Sequence, residues 1–141
     1  MTRPRDILRI GNISGYYGDR LEAAKEVIAA GVDVLTGDYL AELTMLILWK
    51  ARRRDPSLGY ARTFLTQMEQ VLGTCMDKGT RIVTNAGGLN PGGLADELRL
   101  LSERLGLSPR IAYIQGDDVV ARIPDWLRRG ECPSRRDRRL R

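Results

Sequence analysis

Two pairs of acidic side chains in this 141-residue chain are spaced for acid–base or cation chemistry. Asp38 and Glu42 are one helical turn apart, and Asp117 adjoins Asp118. Carboxylates this close can hold a cation, or can divide into an acid and a base when their burial differs. We therefore predict Asp38, Glu42 and Asp117 as catalytic residues that act as acid, base or cation ligand.

Each of these carboxylates also has a structural interpretation, which stays open at this point. Asp38 could cap the helix that follows it, a contact worth about 1 kcal/mol. Glu42 could interact favourably with the dipole of the same helix, and the Asp117–Asp118 pair could be a helix cap with a solvated neighbour. The segment that Glu42 begins is strongly apolar, and a charge on a buried helix needs a partner, which favours a functional role.

The glycine-rich segment 85–93 is the clearest candidate for binding an anion. Glycines allow backbone N–H groups to approach a ligand, and the start of the next helix adds a positive dipole end. The segment matches neither the Walker pattern nor the GxGxxG dinucleotide pattern. The alternative interpretation is a tight strand-to-helix turn that requires positive φ angles.

The elements that must position these residues alternate along the chain. Short apolar runs at 7–13, 32–36, 81–84 and 111–114 predict strands, and longer periodic segments at 19–30, 40–53, 60–78 and 94–105 predict helices. Asp19 is the expected N-cap of the first helix, and the helix at 40–53 is apolar on nearly all sides and is expected to be buried.

This alternation predicts an α/β fold, with an open parallel sheet of about four strands and flanking helices in an incomplete doubly wound arrangement. A polar cluster follows each predicted strand, and parallel strands bring their carboxyl ends to one edge, here called the carboxyl edge, where such folds bind ligands. We predict ligand-binding side chains or backbone at Asn12, Tyr17, Asp19, Tyr39, Asn85, Gly87, Gly88, Asn90 and Asp118.

Composition excludes several other kinds of site. The chain has no histidine, which removes Ser-His-Asp triads, Cys-His pairs and histidine metal ligands. Its two cysteines, Cys75 and Cys132, are far apart, form no zinc motif and suit a reducing cytoplasm. Cys75 is expected in the core. The sequence does not identify a cofactor or a metal.

The net charge of +5 lies in the last residues of the chain. Residues 128–141 contain seven arginines, one glutamate and one aspartate, so the rest of the chain is neutral. We predict an α/β domain over residues 1–130 and a disordered Arg-rich tail over 131–141. This distribution argues against specific nucleic-acid binding. No signal peptide or membrane-spanning run is evident, and we expect a cytoplasmic protein without membrane contacts.

Five motifs, taken together and in this order, resemble those of the acyclic terpene utilisation protein A family. They are GYYGD at 15–19, GDYLAELTM at 37–45, DPSLGY at 55–60, TNAGGLNP at 84–91 and GDD at 116–118. The resemblance extends from about residue 7 to residue 130. It implies a role in the bacterial breakdown of acyclic terpenes such as citronellol and geraniol, and a small-molecule substrate such as an acyl-CoA.

The resemblance also raises a second hypothesis. Members of that family are usually several times longer than this chain, and the Arg-rich run after residue 130 is typical of a truncated or frame-shifted reading. On this view only the N-terminal portion of the family fold is present. The chain would then be a non-catalytic remnant, or a subunit that needs a homo-oligomer or a partner chain.

Overall fold

The computed structural model of this chain describes residues 7–130, in which three parallel strands alternate with helices. The α/β class predicted from the sequence is therefore confirmed. The elements in chain order are β1 Ile10–Asn12, α1 Ala23–Ala29, β2 Val34–Gly37, α2 Glu42–Arg54, α3 Arg62–Lys78, β3 Arg81–Thr84, α4 Pro91–Arg104, a short 3-10 helix Val120–Arg122, and α5 Ile123–Arg129.

The sheet has the order β1-β2-β3, which is the order of the strands along the chain. Ile10 lies beside Val34, and Val34 beside Arg81, so the register runs straight across the three strands. Crossovers between parallel strands are right-handed. A sheet that grows in a single direction therefore places both of its crossovers on the same face.

One face of the sheet carries the core. Leu35, in the central strand, has no exposed surface and belongs to one cluster with Ile28 of α1 and Phe64 and Met68 of α3. Gly11 of β1 lies beside Leu35 on the same face, where α1 approaches closely. A Cβ at this position would lie 2.2 Å from Val27 Cγ1. α1 therefore leaves no room for a larger side chain at Gly11.

The opposite face of the sheet, here called the open face, has no helix of residues 7–130 packed over its outer strands. Ile10 of β1 and Val83 of β3 are each 61% exposed on it, while Val34 and Thr36 of β2 are half-buried. A doubly wound fold would cover both faces. Within the described residues the structure covers one, which corrects the expectation of helices on either side.

Two helices differ from the prediction: α1 in the residue where it begins, and α2 in its burial. α1 begins at Ala23, because Asp19 accepts hydrogen bonds from the backbone N–H groups of Gly15 and Arg20 and does not cap the helix. α2 is not buried, since Leu43 is 68% exposed and only Thr44 and Leu48 lie fully inside. The apolar composition of α2 was therefore a poor guide to its burial.

The predicted fourth strand at 111–114 is absent from the described residues, where this segment forms no ladder. Ile114 is 92% exposed. The segment runs past the beginning of α4: a Cβ at Gly92 would lie 3.7 Å from Tyr113 Oη and 3.6 Å from Gln115 Nε2. A strand requires a neighbouring backbone to pair with, and this segment lies against a helix instead.

Three smaller predictions have different outcomes. Cys75 is buried in the core as expected. Among the described helices, none is long and apolar enough to cross a bilayer. Cys132 and the predicted disordered tail at 131–141 lie outside the residues that the structure describes.

The one-sided core gives a stability prediction. Leu35→Ala removes a fully buried side chain, and we expect the free energy of unfolding to fall by about 2–5 kcal/mol. Val83→Ala shortens a side chain on the open face, and we expect a loss of about 0.5 kcal/mol or less. Urea unfolding measures both values. A loss from Val83→Ala as large as that from Leu35→Ala would show that another surface covers the open face.

Candidate functional site

A cleft of about 650 Å³ opens at the carboxyl edge between α2, the loop that follows β3, and the segment 115–121. We call it the carboxyl-edge cleft. Its volume is in the range of small-molecule sites, and it combines several apolar side chains with a few polar ones, as such sites do. Its lining residues are Met45, Arg52, Gly88, Leu89, Asn90, Pro91, Gln115, Gly116, Asp117, Asp118, Val119, Val120 and Ala121.

Arg52 is the cation of this cleft. Its Nη1 donates a hydrogen bond of 2.6 Å to the carbonyl oxygen of Leu89 and one of 3.2 Å to Asp118 Oδ2. The first contact fixes the guanidinium to the loop after β3, and the second joins it to the segment 115–121. An arginine held in this way can bind a carboxylate or a phosphate group.

Arg52 does not stand out in the sequence, because an arginine run at the end of a helix, as at 52–54, is usually solvated and favoured by the helix dipole. A usable signal was present: Thr44, Leu48 and Arg52 are spaced by four residues and share one stripe of α2. Thr44 and Leu48 are the two buried residues of this helix. The position of Arg52 on their stripe turns it inward, whereas Arg53 is exposed and lies over the Trp49 ring at 5.0 Å.

The glycine-rich segment forms a tight turn that uses most of its own amides. The N–H of Ala86 donates to Thr84 Oγ1, that of Gly88 to the carbonyl of Asn85, and that of Leu89 to the carbonyl of Gly59. Gly88 has φ +51°, and a Cβ there would lie 2.5 Å from Leu48 Cδ1. The tight-turn interpretation of this segment therefore explains much of its composition.

The beginning of α4 lies at the cleft, and Asn90 caps it. Asn90 Oδ1 accepts from the N–H of Gly93 at 3.0 Å, while Nδ2 donates to the carbonyl of Ser57 at 2.9 Å and to that of Leu58 at 3.2 Å. One side chain thus holds the helix start against the turn that precedes α3. The 14-residue helix directs the positive end of its dipole to this side.

Asp38, Tyr39 and Asn85 form a second polar group, which connects the loops after β2 and β3. Asn85 Nδ2 donates to Asp38 Oδ1 at 2.6 Å, and Asn85 Oδ1 accepts from the N–H of Tyr39 at 2.8 Å. α2 begins after Ala41 without any side-chain cap. The capping interpretation of Asp38 is therefore wrong, and its carboxylate is an exposed hydrogen-bond acceptor for Asn85.

The Tyr39 side chain is directed into the core. Its hydroxyl donates to Gln67 Oε1, and Gln67 Nε2 donates to the carbonyl oxygens of Ile13 and Arg20. Burial raises the pKa of the Tyr39 hydroxyl well above its ordinary value of 10.0. Tyr39 therefore contributes a neutral hydrogen bond to the core, and only its backbone reaches the carboxyl edge.

The structure brings part of the predicted site together. Of the predicted catalytic residues, Asp117 lines the cleft; Glu42 is exposed in the first turn of α2, and Asp38 is bound to Asn85. Within residues 7–130 no three acidic or cysteine side chains lie close enough to hold a metal ion.

The predicted ligand-binding positions divide into two groups. Three line the cleft, namely Gly88, Asn90 and Asp118. The others do not line it, namely Asn12, Tyr17, Asp19, Tyr39, Asn85 and Gly87.

Three predicted residues lie at the end of β1 or in the loop that follows it. Asn12 is exposed and donates from Nδ2 to the carbonyl of Ser14 at 2.9 Å. Backbone hydrogen bonds from Gly15 and Arg20 lower the pKa of the Asp19 carboxyl. Tyr17 lines a separate groove of about 460 Å³ beside α3 and α4. None of the three borders the carboxyl-edge cleft.

Comparison with known proteins gives one result. Residues 8–140 match the family described as Acyclic terpene utilisation family protein AtuA, and the chain belongs to this family. The match continues to residue 140, so the expectation that the resemblance ends at residue 130 is wrong. No curated protein and no solved structure matches the chain.

The buried Tyr39 hydroxyl gives a prediction about pH. In the unfolded chain this hydroxyl ionises near pH 10, whereas in the folded chain it keeps its proton to a higher pH. The resulting stability is complete below pH 10 and is lost as the pH rises toward the folded-state pKa, by up to about 1.4 kcal/mol per pH unit. Chemical denaturation between pH 8 and about pH 11 measures the slope.

Tyr39→Phe should remove the part of the pH dependence of the free energy of unfolding that Tyr39 causes. It should also lower the free energy of unfolding at neutral pH by about 1–3 kcal/mol, because Gln67 Oε1 loses its buried donor. Burial also raises the pKa of Tyr60 and of Cys75. Both remain in the variant, so the difference between the two slopes belongs to Tyr39. Equal slopes above pH 10 would contradict the burial argument.

Asn90 gives a third prediction, which separates structure from binding. Asn90→Ala removes both the cap of α4 and the contacts to Ser57 and Leu58, and we expect a loss of about 1–2 kcal/mol in the free energy of unfolding. Asn90→Ser keeps a capping oxygen and loses the Nδ2 donor without placing a charge against the carbonyl oxygens of Ser57 and Leu58, so its loss should be smaller. Thermal unfolding compares the two variants. Unchanged stability in Asn90→Ala would leave ligand binding as the role of this residue.

Proposed function

We propose that this member of the acyclic terpene utilisation family binds an anionic organic compound in the carboxyl-edge cleft, with Arg52 as the group that holds the anion. Family membership supports a function in the use of acyclic terpenes. The ligand class that fits both the family and the cleft is the coenzyme A thioester of an acyclic terpenoid acid. The observation that carries the proposal is the arginine fixed to Leu89 inside the cleft.

The cleft offers two kinds of contact to such a compound. Met45, Leu89 and Val119 supply apolar surface for a branched hydrocarbon chain. Arg52 and the start of α4 supply positive charge for a phosphate or carboxylate group. An amphipathic anion would place its chain and its charged end on these two surfaces at once.

Acid–base chemistry in this proposal centres on Asp117. It is the predicted catalytic carboxylate that lines the cleft, and in ionised form it can accept a proton from a bound substrate. Glu42 begins α2 one turn before Met45, which places its carboxylate near the cleft without lining it. Asp38 belongs to the neighbouring Asn85 group and supports the loops. We propose the cytoplasm as the site of action, because two separate thiols suit a reducing compartment.

The homo-oligomer or partner subunit expected from the sequence also remains a proposal. The open face supports it, since Ile10 and Val83 leave an apolar surface on outer strands of a parallel sheet.

Thermal denaturation with geranyl-CoA and citronellyl-CoA tests the proposal. Ligand at about 100 times its dissociation constant should raise the free energy of unfolding by about 2.7 kcal/mol. Arg52→Gln should weaken binding by about tenfold or more, because an arginine–anion hydrogen bond is lost. Arg53→Gln is the matched control, since this neighbour contacts Trp49 outside the cleft and should bind like the unmodified protein.

Two further ligands distinguish a phosphate from a carboxylate as the anionic group that the cleft binds. Free coenzyme A carries the phosphates without the terpenoid chain, and geranate carries the chain with a carboxylate. The ligand whose affinity falls in Arg52→Gln shows which anion Arg52 binds: phosphate for coenzyme A, or the carboxylate of geranate, the free acid. No thermal shift with any of these compounds at about 1 mM would refute the proposed function.

A further inference from the structure

The guanidinium that would bind the ligand already has an anionic partner within the chain. Arg52 Nη1 donates to the Leu89 carbonyl at 2.6 Å and to Asp118 Oδ2 at 3.2 Å, and both Arg52 and Asp118 line the carboxyl-edge cleft. The Leu89 carbonyl is part of the loop after β3 and holds the arginine in place. Asp118 reaches the arginine from a different segment, 66 residues along the chain.

Nη1 donates one N–H to Leu89 and the other to Asp118, so an anion that binds both Nη atoms of Arg52 would need the N–H that Asp118 now accepts. Both side chains of the ion pair are partly open to solvent, and an exposed ion pair of this kind adds little stability. A ligand carboxylate or phosphate can form two parallel hydrogen bonds with a guanidinium, which is a stronger arrangement than the single contact of Asp118. Exchange of Asp118 for a ligand anion that binds both Nη atoms would therefore be favourable.

We propose that Asp118 is an internal substitute for the anionic group of the ligand: it neutralises Arg52 in the empty cleft and gives it up when the ligand binds. This inference depends on the proposed function. It assigns Asp118 a role opposite to that of a ligand-binding residue, because its carboxylate competes with the ligand. Only an anion that binds Arg52 more strongly than Asp118 does can displace it and occupy the cleft. Asp118 is therefore a specificity-determining residue.

The second oxygen of Asp118 shows why the exchange need not disrupt the segment. Asp118 Oδ1 accepts a hydrogen bond of 3.2 Å from the N–H of Val120, the first residue of the 3-10 helix. Only Oδ2 contacts Arg52. The carboxylate can thus release the arginine and keep its contact with Val120.

Asp118→Asn is the variant that isolates this competition. The asparagine keeps an oxygen that can accept from Val120 and loses the charge that holds Arg52. Isothermal titration with geranyl-CoA should show affinity about three- to tenfold higher than in the unmodified protein. Asp96→Asn is the matched control, because it removes the same charge from an exposed carboxylate of α4 that pairs with Arg99 and does not line the cleft. Its gain in affinity should be less than about twofold.

A double variant completes the test. In the Arg52→Gln background, Asp118→Asn should no longer change the affinity, since the competition requires the arginine. Equal gains for Asp96→Asn and Asp118→Asn, or weaker binding by Asp118→Asn, would overturn the inference and leave the proposed function standing. Binding by Asp118→Asn alone, with none by the unmodified protein, would refute both the proposed function and the inference, because the ligand would then be unable to displace Asp118 from Arg52. Absence of binding in both proteins would refute the inference together with the proposed function.

Discussion

The position of the carboxyl-edge loops depends on one buried hydrogen-bond group around Gln67. This side chain comes from α3, is almost fully buried, accepts from the Tyr39 hydroxyl and donates to the carbonyl oxygens of Ile13 and Arg20. It therefore connects the long helix to the loops after β1 and β2 at once. Buried polar groups need partners, so these loops cannot move away from α3 without leaving several groups unsatisfied.

Two asparagines extend the same constraint to the loop after β3. Asn85 bonds to Asp38 and to the N–H of Tyr39, and Asn90 joins the start of α4 to the Ser57–Leu58 turn. The consequence for function is a cleft in which the loop after β3 and the start of α4 are held to neighbouring loops by side-chain hydrogen bonds. The remaining wall, at 115–121, contacts α2 through the Arg52–Asp118 pair. An anion that enters the cleft meets a fixed cation and a carboxylate that can be displaced.

Sequence patterns predicted the elements well where local and tertiary requirements agree. The strand at 81–84 has its predicted bounds, and α3 ends at Gly79 with φ +68°, as the position of that glycine indicated. Predictions failed where a partner was needed. The run at 111–114 has strand composition without a strand to pair with, and α2 is apolar on faces that no described element covers, as Leu43 shows.

The candidate site shows the same division. The sequence alone determined the α/β class, the family, the absence of histidine chemistry and the gathering of polar loops at one edge, because these follow from residue type, order and the geometry of parallel strands. Tertiary structure decided which polar groups face the cleft. Tyr39 and Asn90 are of residue types common in binding sites, but the Tyr39 side chain is used in the core and Asn90 caps a helix. Arg52 reaches the cleft because it continues the buried stripe of α2. These roles depend on contacts between residues distant in sequence, which residue spacing along the chain does not specify.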